Sequence, residues 1–270
     1  MISKYYITDW IKPPTSPLIS TAGSTPGTQF QAQDVLFNWY AFEVPKGTCR
    51  IHNITTMIYG TDFASGSNHD IDIDLYFAKH GGPFDDPFVL TTIPNIATSS
   101  SLSGLSKNDI IATQKIDASV GVDVGGLKFG HMWNSGQTLS SFGGVIIEGD
   151  PNYNDSTSGR HTPGTMKVWI AGITLGNFDF GTGLLLNQVG NQAADMTGDN
   201  VTLTVDGTNT VSMFEAGEIL VGSTGTTQME FVTQLNATSM VVKNITAQID
   251  NDEEIIPTSS VRFRFGLEYY

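Results

Sequence analysis

The amino-acid sequence predicts an all-β protein: a jelly-roll-like β-sandwich with an extended N-terminal arm and a small C-terminal β-barrel. The 270 residues include 29 glycines and 11 prolines but only 15% charged residues, a balance poor in helix formers. Short apolar stretches of strand length recur along the chain, separated by turn residues. The composition excludes coiled coils and helical repeats, and strand candidates nowhere alternate with helical patterns.

Residues 1–33 are predicted to form the extended arm. They contain Pro13, Pro14, Pro17 and Pro26 among Ser, Thr, Gly and Gln, and they sustain neither a helical nor a strand period. Such a segment cannot bury much apolar surface within itself, so we expect a neighbouring copy or a partner surface to order it. The alternative is that the arm lies across its own domain.

Residues 34–178 are predicted to form the β-sandwich. The clearest strand candidates are 35–42, 49–54, 71–77, 144–148 and 166–171. Glycine-containing turns and a long loop at 148–164 lie between them, which is typical of an antiparallel sandwich of jelly-roll type. Short helical turns around residues 107–112 are the one departure that the sequence suggests.

Residues 179–270 are predicted to form the small β-barrel. Here aliphatic residues and threonine replace the aromatic residues. Residues 201–205 alternate strictly before an Asp206-Gly207 turn, which predicts a hairpin with residues 210–214. We expect residues 261–267 to close the barrel, with phenylalanines on one side and arginines on the other.

The second predicted domain also contains a weak internal repeat. Residues 214–224 and 250–260 are similar stretches about 36 residues apart, and each places a Glu before an aliphatic strand candidate. A repeat of this kind fits a barrel built from short hairpins.

The charge balance excludes several classes of partner. The chain has 27 acidic and 13 basic residues, a net charge of −14, which argues against nucleic acid or an anionic membrane surface as the main partner. No stretch approaches the ~20 apolar residues of a membrane helix, and the first residues lack a signal-peptide pattern, so we expect a soluble chain. Cys49 has no cysteine to pair with inside the chain and is interpreted as a buried structural thiol.

Asp70, Asp72 and Asp74 are the residues most suggestive of chemistry. A strand's period of two puts them on one face, and three carboxylates could bind a hard cation such as Ca²⁺. Successive residues on one face stand about 7 Å apart, and the glycine and distal Glu of an EF-hand loop are missing, so we favour a solvated face. If a site exists, Asp62 and Asn68 are its further ligands.

The sequence offers a weak case for catalysis. Glu148, Asp150 and Asp155 are candidate carboxylates for glycoside hydrolysis, and Trp133 or Trp169 could stack on a sugar. Turn chemistry explains these carboxylates equally simply. The histidines show no zinc-ligand spacing: His52, His69, His80, His131 and His161. We therefore predict no catalytic, cofactor or metal residues, no cofactor, and a protein that is not an enzyme.

One predicted strand is unusually aromatic. Phe37, Trp39, Tyr40 and Phe42 span both of its faces, so one face would pack in the sandwich while the other could meet a neighbouring subunit. Burial in the core is the favoured interpretation. The terminal Tyr269-Tyr270 pair could anchor a contact or pair at a sheet edge.

A set of motifs between Phe214 and Ile256 carries a family resemblance. A Phe-x-x-Gly-Glu-Ile turn is followed by Gly-Ser-Thr-Gly, a valine-rich strand, an Asn-Ile-Thr step and a further Glu-Ile. The residues are Phe214, Gly217, Glu218, Ile219, Gly222, Ser223, Thr224, Gly225, Val241, Val242, Asn244, Ile245, Thr246, Glu254 and Ile255. This set of motifs resembles the small β-barrel modules of virion structural proteins in tailed bacteriophages, especially contractile-tailed phages of marine cyanobacteria.

The resemblance implies a non-enzymatic structural protein of a phage virion. The first expectation is a capsid decoration protein, bound to the head shell through its arm and sandwich, with the major capsid protein or other virion proteins as partners and homo-oligomers on the particle. It would lie on the outer surface of the head, or at the tail or neck. The alternatives are a neck, tail or fibre-base component, a glycan-binding adhesin using the loop at 151–163, and a polysaccharide-cleaving enzyme.

Overall fold

The computed structural model confirms the all-β prediction. It describes residues 4–15, 32–59, 72–81, 87, 90, 105, 107–117, 122–124, 127–133, 145–149, 164–176, 184–185, 200–205, 214–222, 227–247, 249 and 254–269. In chain order the strands are β1 (Lys4–Ile7), β2 (Val35–Pro45), β3 (Thr48–Tyr59), β4 (Ile73–Gly81), β5 (Asn108–Ile116), β6 (Val122–Val124), β7 (Leu127–Trp133), β8 (Val145–Glu148), β9 (Thr165–Thr174), β10 (Leu184–Leu185), β11 (Val201–Thr204), β12 (Ile219–Gly222), β13 (Gln228–Asn236), β14 (Ser239–Lys243), β15 (Glu254–Pro257) and β16 (Val261–Tyr269).

The described strands form three antiparallel sheets. The first has the order β1-β16-β3-β7-β6, and β8 also pairs with β3. The second has the order β2-β9-β4-β5, and the third has the order β10-β15-β12-β13-β14-β11. The strand regions predicted between residues 34 and 178 correspond to β2, β3, β4, β8 and β9.

The first and second sheets pack face to face and form a β-sandwich. Phe263 and Phe265 of β16 are fully buried in one apolar core with Phe37 and Phe42 of β2. The ring centroids of Phe37 and Phe263 are 5.6 Å apart, and those of Phe42 and Phe265 are 5.3 Å apart, which are ordinary separations for packed aromatic pairs. The sandwich is therefore built on a shared aromatic core, while its jelly-roll connectivity stays a prediction.

The expectation of helical turns at 107–112 is wrong. Strand β5 covers these residues from Asn108 onward and pairs with β4, for example through Leu75 and Gln114. Gln114 and Ile116 are both buried, with the exposed Lys115 between them, which is the alternation of a strand. Sheet pairing therefore decides the conformation of a segment whose local preference for a helix is weak.

The described part of the arm lies across its own domain. Strand β1 pairs with β16, and beyond it the Thr8 N–H donates to the Phe265 carbonyl at 3.0 Å. Ile11 is buried and pairs with Phe263, and the Thr15 hydroxyl donates to the Thr258 carbonyl at 3.0 Å. The alternative considered for the arm therefore holds for residues 4–15, and residues 16–31 lie outside the described residues.

The expectation that residues 261–267 close the C-terminal barrel is wrong. They belong to β16, which lies between β1 and β3 in the first sheet. The physical reason is the sandwich core, where Phe265 packs against Phe42 and Phe77 from the second sheet. The expected division of faces is observed, because Phe263 and Phe265 enter the core while Arg264 contacts Trp10 on the other side.

The third sheet has an apolar core of its own. Its buried side chains are Leu203, Val205, Phe214, Leu220, Met229, Phe231, Met240, Val242, Ile245, Ile249 and Ile255. Strand β11 pairs with β14, while residues 206–213 of the predicted hairpin lie outside the described residues. The two repeat stretches contribute β12 and β15, which are neighbours with Val221 opposite Ile256. Closure into a barrel stays a prediction.

Candidate interaction surface

The face of the first sheet that points away from the sandwich core carries exposed apolar side chains. One row across four strands consists of Tyr5, Glu268, Arg50 and Ile146. Tyr5 is 71% exposed, Ile146 is 52% exposed, and Ile7, two residues along β1 from Tyr5, is 66% exposed. We call this surface, defined by Tyr5, Ile7, Arg50, Ile146 and Glu268, the outer face.

An ion cluster lies in the middle of the outer face. A hydrogen bond of 2.8 Å joins His52 Nε2 to Glu268 Oε2, and Arg50 Nη1 lies 3.9 Å from the same oxygen. The Tyr5 ring packs beside His52, with 5.7 Å between ring centroids. The carboxylate is mostly buried, whereas both basic side chains are about one-third exposed. The outer face therefore presents Arg50 and His52 to solvent beside apolar groups.

An aromatic–cation contact lies beside the outer face, nearer the start of β16. The Arg264 guanidinium lies 4.5 Å from the centroid of the Trp10 ring, a favourable cation–π separation. Two residues further along β16, Gly266 lies opposite Asn53 of β3. A Cβ at this position would overlap the side-chain amide of Asn53. Glycine is therefore needed at 266 for Asn53 to lie flat against β16.

A second ion cluster joins the arm, the first sheet and the third sheet. Arg262 of β16 is completely buried, pairs with Glu218 just before β12, and has Nη1 3.1 Å from Glu215 Oε1. The other Glu215 oxygen is paired with Lys12 of the arm. The hydrogen bond from Lys12, followed by the charge of Arg262, lowers the pKa of Glu215. We call Lys12, Glu215, Glu218 and Arg262 the junction cluster.

The junction cluster explains part of the motif that carried the family resemblance. Gly217 has φ +86°, a conformation that favours glycine, and its N–H donates to the Phe231 carbonyl. The Glu218 carboxylate accepts a 3.0 Å hydrogen bond from the Glu215 N–H, while Phe214 packs edge-on against Phe231. The Phe-x-x-Gly-Glu pattern therefore encodes a tight turn that presents a carboxylate to Arg262.

A small pocket of about 230 Å³ opens at this junction. Its lining includes Lys12, Glu215, Gly217, Glu218, Thr258 and Ser259. Both carboxylates are already paired, one with Lys12 and the other with Arg262. The arrangement is therefore that of a structural joint between sheets rather than of a reactive centre.

The aspartates proposed as cation ligands have a basic neighbour. Asp72 Oδ2 is 2.8 Å from Lys115 Nζ, and Asp74 lies opposite Lys115 in the sheet. Burial, with the charge of Asp72 adding to it, raises the pKa of Asp74, while the hydrogen bond to Asp72 raises the pKa of Lys115. Asp70 and the further candidates Asp62 and Asn68 lie outside the described residues. Of the aspartates considered as cation ligands, Asp72 is therefore paired with a lysine.

The carboxylates considered for glycoside hydrolysis are not brought together within the described residues. Glu148 is exposed at the end of β8, with Lys79 Nζ 4.0 Å away, while Asp150 and Asp155 lie outside these residues. Trp169 lies partly buried in β9, and the side chain of Trp133 is outside the described part. The pairing of these groups stays untested.

Only one candidate histidine has a described side chain. His52 contributes to the outer face through its hydrogen bond to Glu268. The side chains of His69, His80, His131 and His161 lie outside the described residues.

Cys49 has the surroundings of a structural thiol. Its side chain is completely buried in the sandwich core, and Sγ donates a weak hydrogen bond to the Pro45 carbonyl at 3.3 Å. Burial raises the pKa of Cys49 to about 11. The thiol is therefore protonated at neutral pH and poorly suited to act as a nucleophile.

The aromatic strand β2 packs mainly inward. Phe37 and Phe42 are buried in the sandwich core, and Tyr40 packs against the same core. Trp39 is partly buried against a smaller cluster that includes Leu90. These aromatic side chains therefore lie mainly in the core, as the sequence favoured. Tyr269, near the end of the chain, pairs within the first sheet opposite Lys4 and Cys49.

Comparisons with known proteins add no family assignment. No protein-family model matches the chain, and none of the curated proteins is significantly similar to it. No group of three or more His, Cys, Asp or Glu side chains in the described part of the chain is placed to hold a metal ion. The described residues also include no helix with the length and hydrophobicity of a membrane span.

The sequence analysis missed the residues that define the outer face. The run Lys-Tyr-Tyr-Ile-Thr from Lys4 to Thr8 is rich in strand-forming residues and could have indicated β1. The prolines that follow it led to the prediction that the whole segment is an extended arm. Arg262 was placed on the correct side of its strand, but its buried partner Glu218 is 44 residues away and no local pattern points to it.

Proposed function

We propose that this protein is a non-enzymatic structural component of a tailed-phage virion, and that it decorates the capsid by binding the head shell through the outer face of its first sheet. The single observation that carries the proposal is the outer face itself, on which the arm and the sandwich contribute to one surface. Tyr5 and Ile7 come from the arm, whereas Arg50 and Ile146 come from the sandwich.

The composition of the outer face supports a role in protein binding. Exposed aromatic and aliphatic side chains beside arginine are typical of protein interfaces, whereas a solvated sheet face carries mainly small polar and charged residues. The apolar side chains of this face lie beside the ion pair of Arg50 and Glu268. A shell surface with an apolar patch surrounded by polar groups would be complementary to it.

The way the arm is held supports the same role. Thr8 and Ile11 hydrogen-bond to β16, so Tyr5 and Ile7 are presented on a paired strand. A binding partner would therefore pay little conformational entropy for ordering them. The acidic remainder of the chain would face solvent and keep a protein of high copy number soluble.

The test is binding of the purified protein to phage particles that lack it, followed by immunogold labelling with antibody against residues 34–178. We expect gold over the head. The double variant Arg50→Ser/Ile146→Ser changes only β3 and β8 of the outer face, and it should weaken binding by about tenfold or more because both side chains leave the contact.

The matched control is Leu235→Ser, which removes an exposed apolar side chain from β13 of the third sheet. It should bind like the unmodified protein. Gold confined to the tail or neck would replace decoration with a joining role, and binding unaffected by Arg50→Ser/Ile146→Ser would overturn the assignment of the surface. Failure to bind any part of the particle, with binding on a glycan array, would overturn the virion role.

A further inference from the structure

We infer that β1 is an incomplete sheet edge that pairs antiparallel with β1 of a second copy of this chain, with the twofold axis passing beside Tyr6. The pairing joins two first sheets into one continuous sheet. It uses the unpaired backbone edge of β1, whose Tyr5 and Ile7 also contribute side chains to the outer face, and it does not depend on where the protein acts.

The hydrogen bonds of β1 define which of its backbone groups are available. The Thr8 N–H donates to the Phe265 carbonyl, and the register places Tyr6 opposite Leu267. Because the direction of backbone groups alternates along an antiparallel strand, Tyr6 faces β16 while the N–H and C=O of Tyr5 and Ile7 point away from it. No described strand lies on that side of β1.

The same alternation restricts the register of a β1–β1 pair. Residues whose backbone groups point outward must face each other, so Tyr5 can pair with Ile7 of the partner subunit and exchange both hydrogen bonds with it. Tyr6 then lies opposite Tyr6 of the partner subunit. A slip by one residue is excluded because it would set inward-pointing groups against the edge.

The exposed side chains fit this register. Tyr5 and Ile7 are 71% and 66% exposed, the two highest values among the exposed large apolar side chains of the described residues. In the paired arrangement each tyrosine packs on an isoleucine, and aromatic–β-branched pairs are favourable across antiparallel strands. A charged side chain, the usual protection of a sheet edge, is missing at both positions.

The strand is therefore complementary to itself, which identifies a second copy as the occupant. A twofold pair uses the same surface on both subunits, and closed pairs of this kind are the commonest assemblies. Each copy carries a net charge of −14, so the two repel each other at long range. Salt screens this repulsion and should strengthen the dimer, the opposite of its effect on a contact held by ion pairs.

Sedimentation equilibrium of the full chain over a range of concentrations tests the proposal. We expect a monomer–dimer equilibrium that shifts toward the dimer between low and moderate salt. Ile7→Pro removes an outward N–H that β16 does not use, so it should weaken the dimer by about tenfold or more while the melting temperature changes little.

A second variant guards against a local folding defect. Ile7→Lys keeps every backbone group and puts a charge on the edge, and it should also weaken the dimer by about tenfold or more. Leu235→Lys makes the same change on the third sheet and should leave the equilibrium unchanged. A wild-type chain that stays monomeric at every concentration, or a dimer that both Ile7 variants leave intact, would overturn the inference.

The register has its own test. In the predicted pair the Cα atoms of the two Tyr6 residues lie about 4.5 Å apart, within the range that a disulfide spans. Tyr6→Cys should therefore form a covalent dimer with oxidised glutathione, whereas Lys4→Cys, opposite Thr8 of the partner subunit, should not. Cys49 does not interfere because it is buried and its pKa is raised to about 11. Equal cross-linking of both variants would contradict the register.

Discussion

The two ends of β16 carry ion clusters of opposite character. At the start of the strand, Arg262 is completely buried and pairs with Glu218, whose side chain is almost as buried. At the end of the strand, Glu268 is also mostly buried, but its partners Arg50 and His52 remain about one-third exposed. One strand therefore joins two sheets at its start and contributes to an open surface at its end.

The difference shows that exposure to solvent determines how much an ion pair contributes to stability. Water can solvate Arg50 and His52 when Glu268 is removed, so the pairs at that end contribute little to folding. Water cannot reach Arg262 or Glu218 without opening the contact between β16 and the third sheet. Removal of either residue would therefore leave the other charge buried without compensation. The junction cluster is thus a structural link, and the outer face is available for binding.

Removal of Arg262 should have the largest effect. Arg262→Met leaves the Glu218 carboxylate buried without its main partner, and we expect the free energy of unfolding to fall by about 3–5 kcal/mol. Urea denaturation followed by circular dichroism measures the change. A loss below about 1 kcal/mol would show that the two ends of β16 are energetically alike.

A double variant tests the cause of that loss. Arg262→Met combined with Glu218→Gln removes the uncompensated charge, so it should recover a substantial part of the stability lost by Arg262→Met alone. If the double variant is less stable than Arg262→Met, the lost packing of the long Arg262 side chain, rather than the unpaired carboxylate, is responsible.

Local alternation predicts which face of β16 is buried but does not predict which core it enters. The spacing of Phe263 and Phe265 is the same whether they pack under β12 or under β2, and only the three-dimensional positions of Phe37, Phe42 and Phe77 decide between these cores. The strands β2, β3 and β9 could be predicted because each is a run of strand-forming residues bounded by turn residues.

The outer face and the junction cluster could not be predicted for a related reason. Each assembles residues from distant parts of the chain, as the pairs Tyr5–Glu268 and Lys12–Glu215 show. No sequence spacing encodes such pairs. The Phe-x-x-Gly-Glu turn was visible in the sequence, but the role of its Glu218 depends on Arg262, which an apparently separate strand supplies.

Glu215 should have an intermediate, pH-dependent effect. Its pKa is lowered from 4.5 in the folded protein, so the unfolded chain binds more protons in this range and the stabilisation is present above pH ~4.5 and lost as pH falls below it. Because the side chain is half exposed, Glu215→Gln should reduce stability by about 1 kcal/mol at most at pH 7. Urea titrations should show a smaller difference at pH 3 than at pH 7, and an equal difference at both would contradict this origin.

Glu268→Gln should have the smallest effect and sharpens the comparison most directly. The amide keeps the shape of the side chain and can still accept a hydrogen bond from His52, while Arg50 is solvated where it stands, so we expect a loss of only a few tenths of a kcal/mol. The same urea denaturation measures it beside Arg262→Met. A loss as large as that of Arg262→Met would mean that the end of β16 is a second structural link, and the outer face could then not be changed for binding experiments without disturbing the fold.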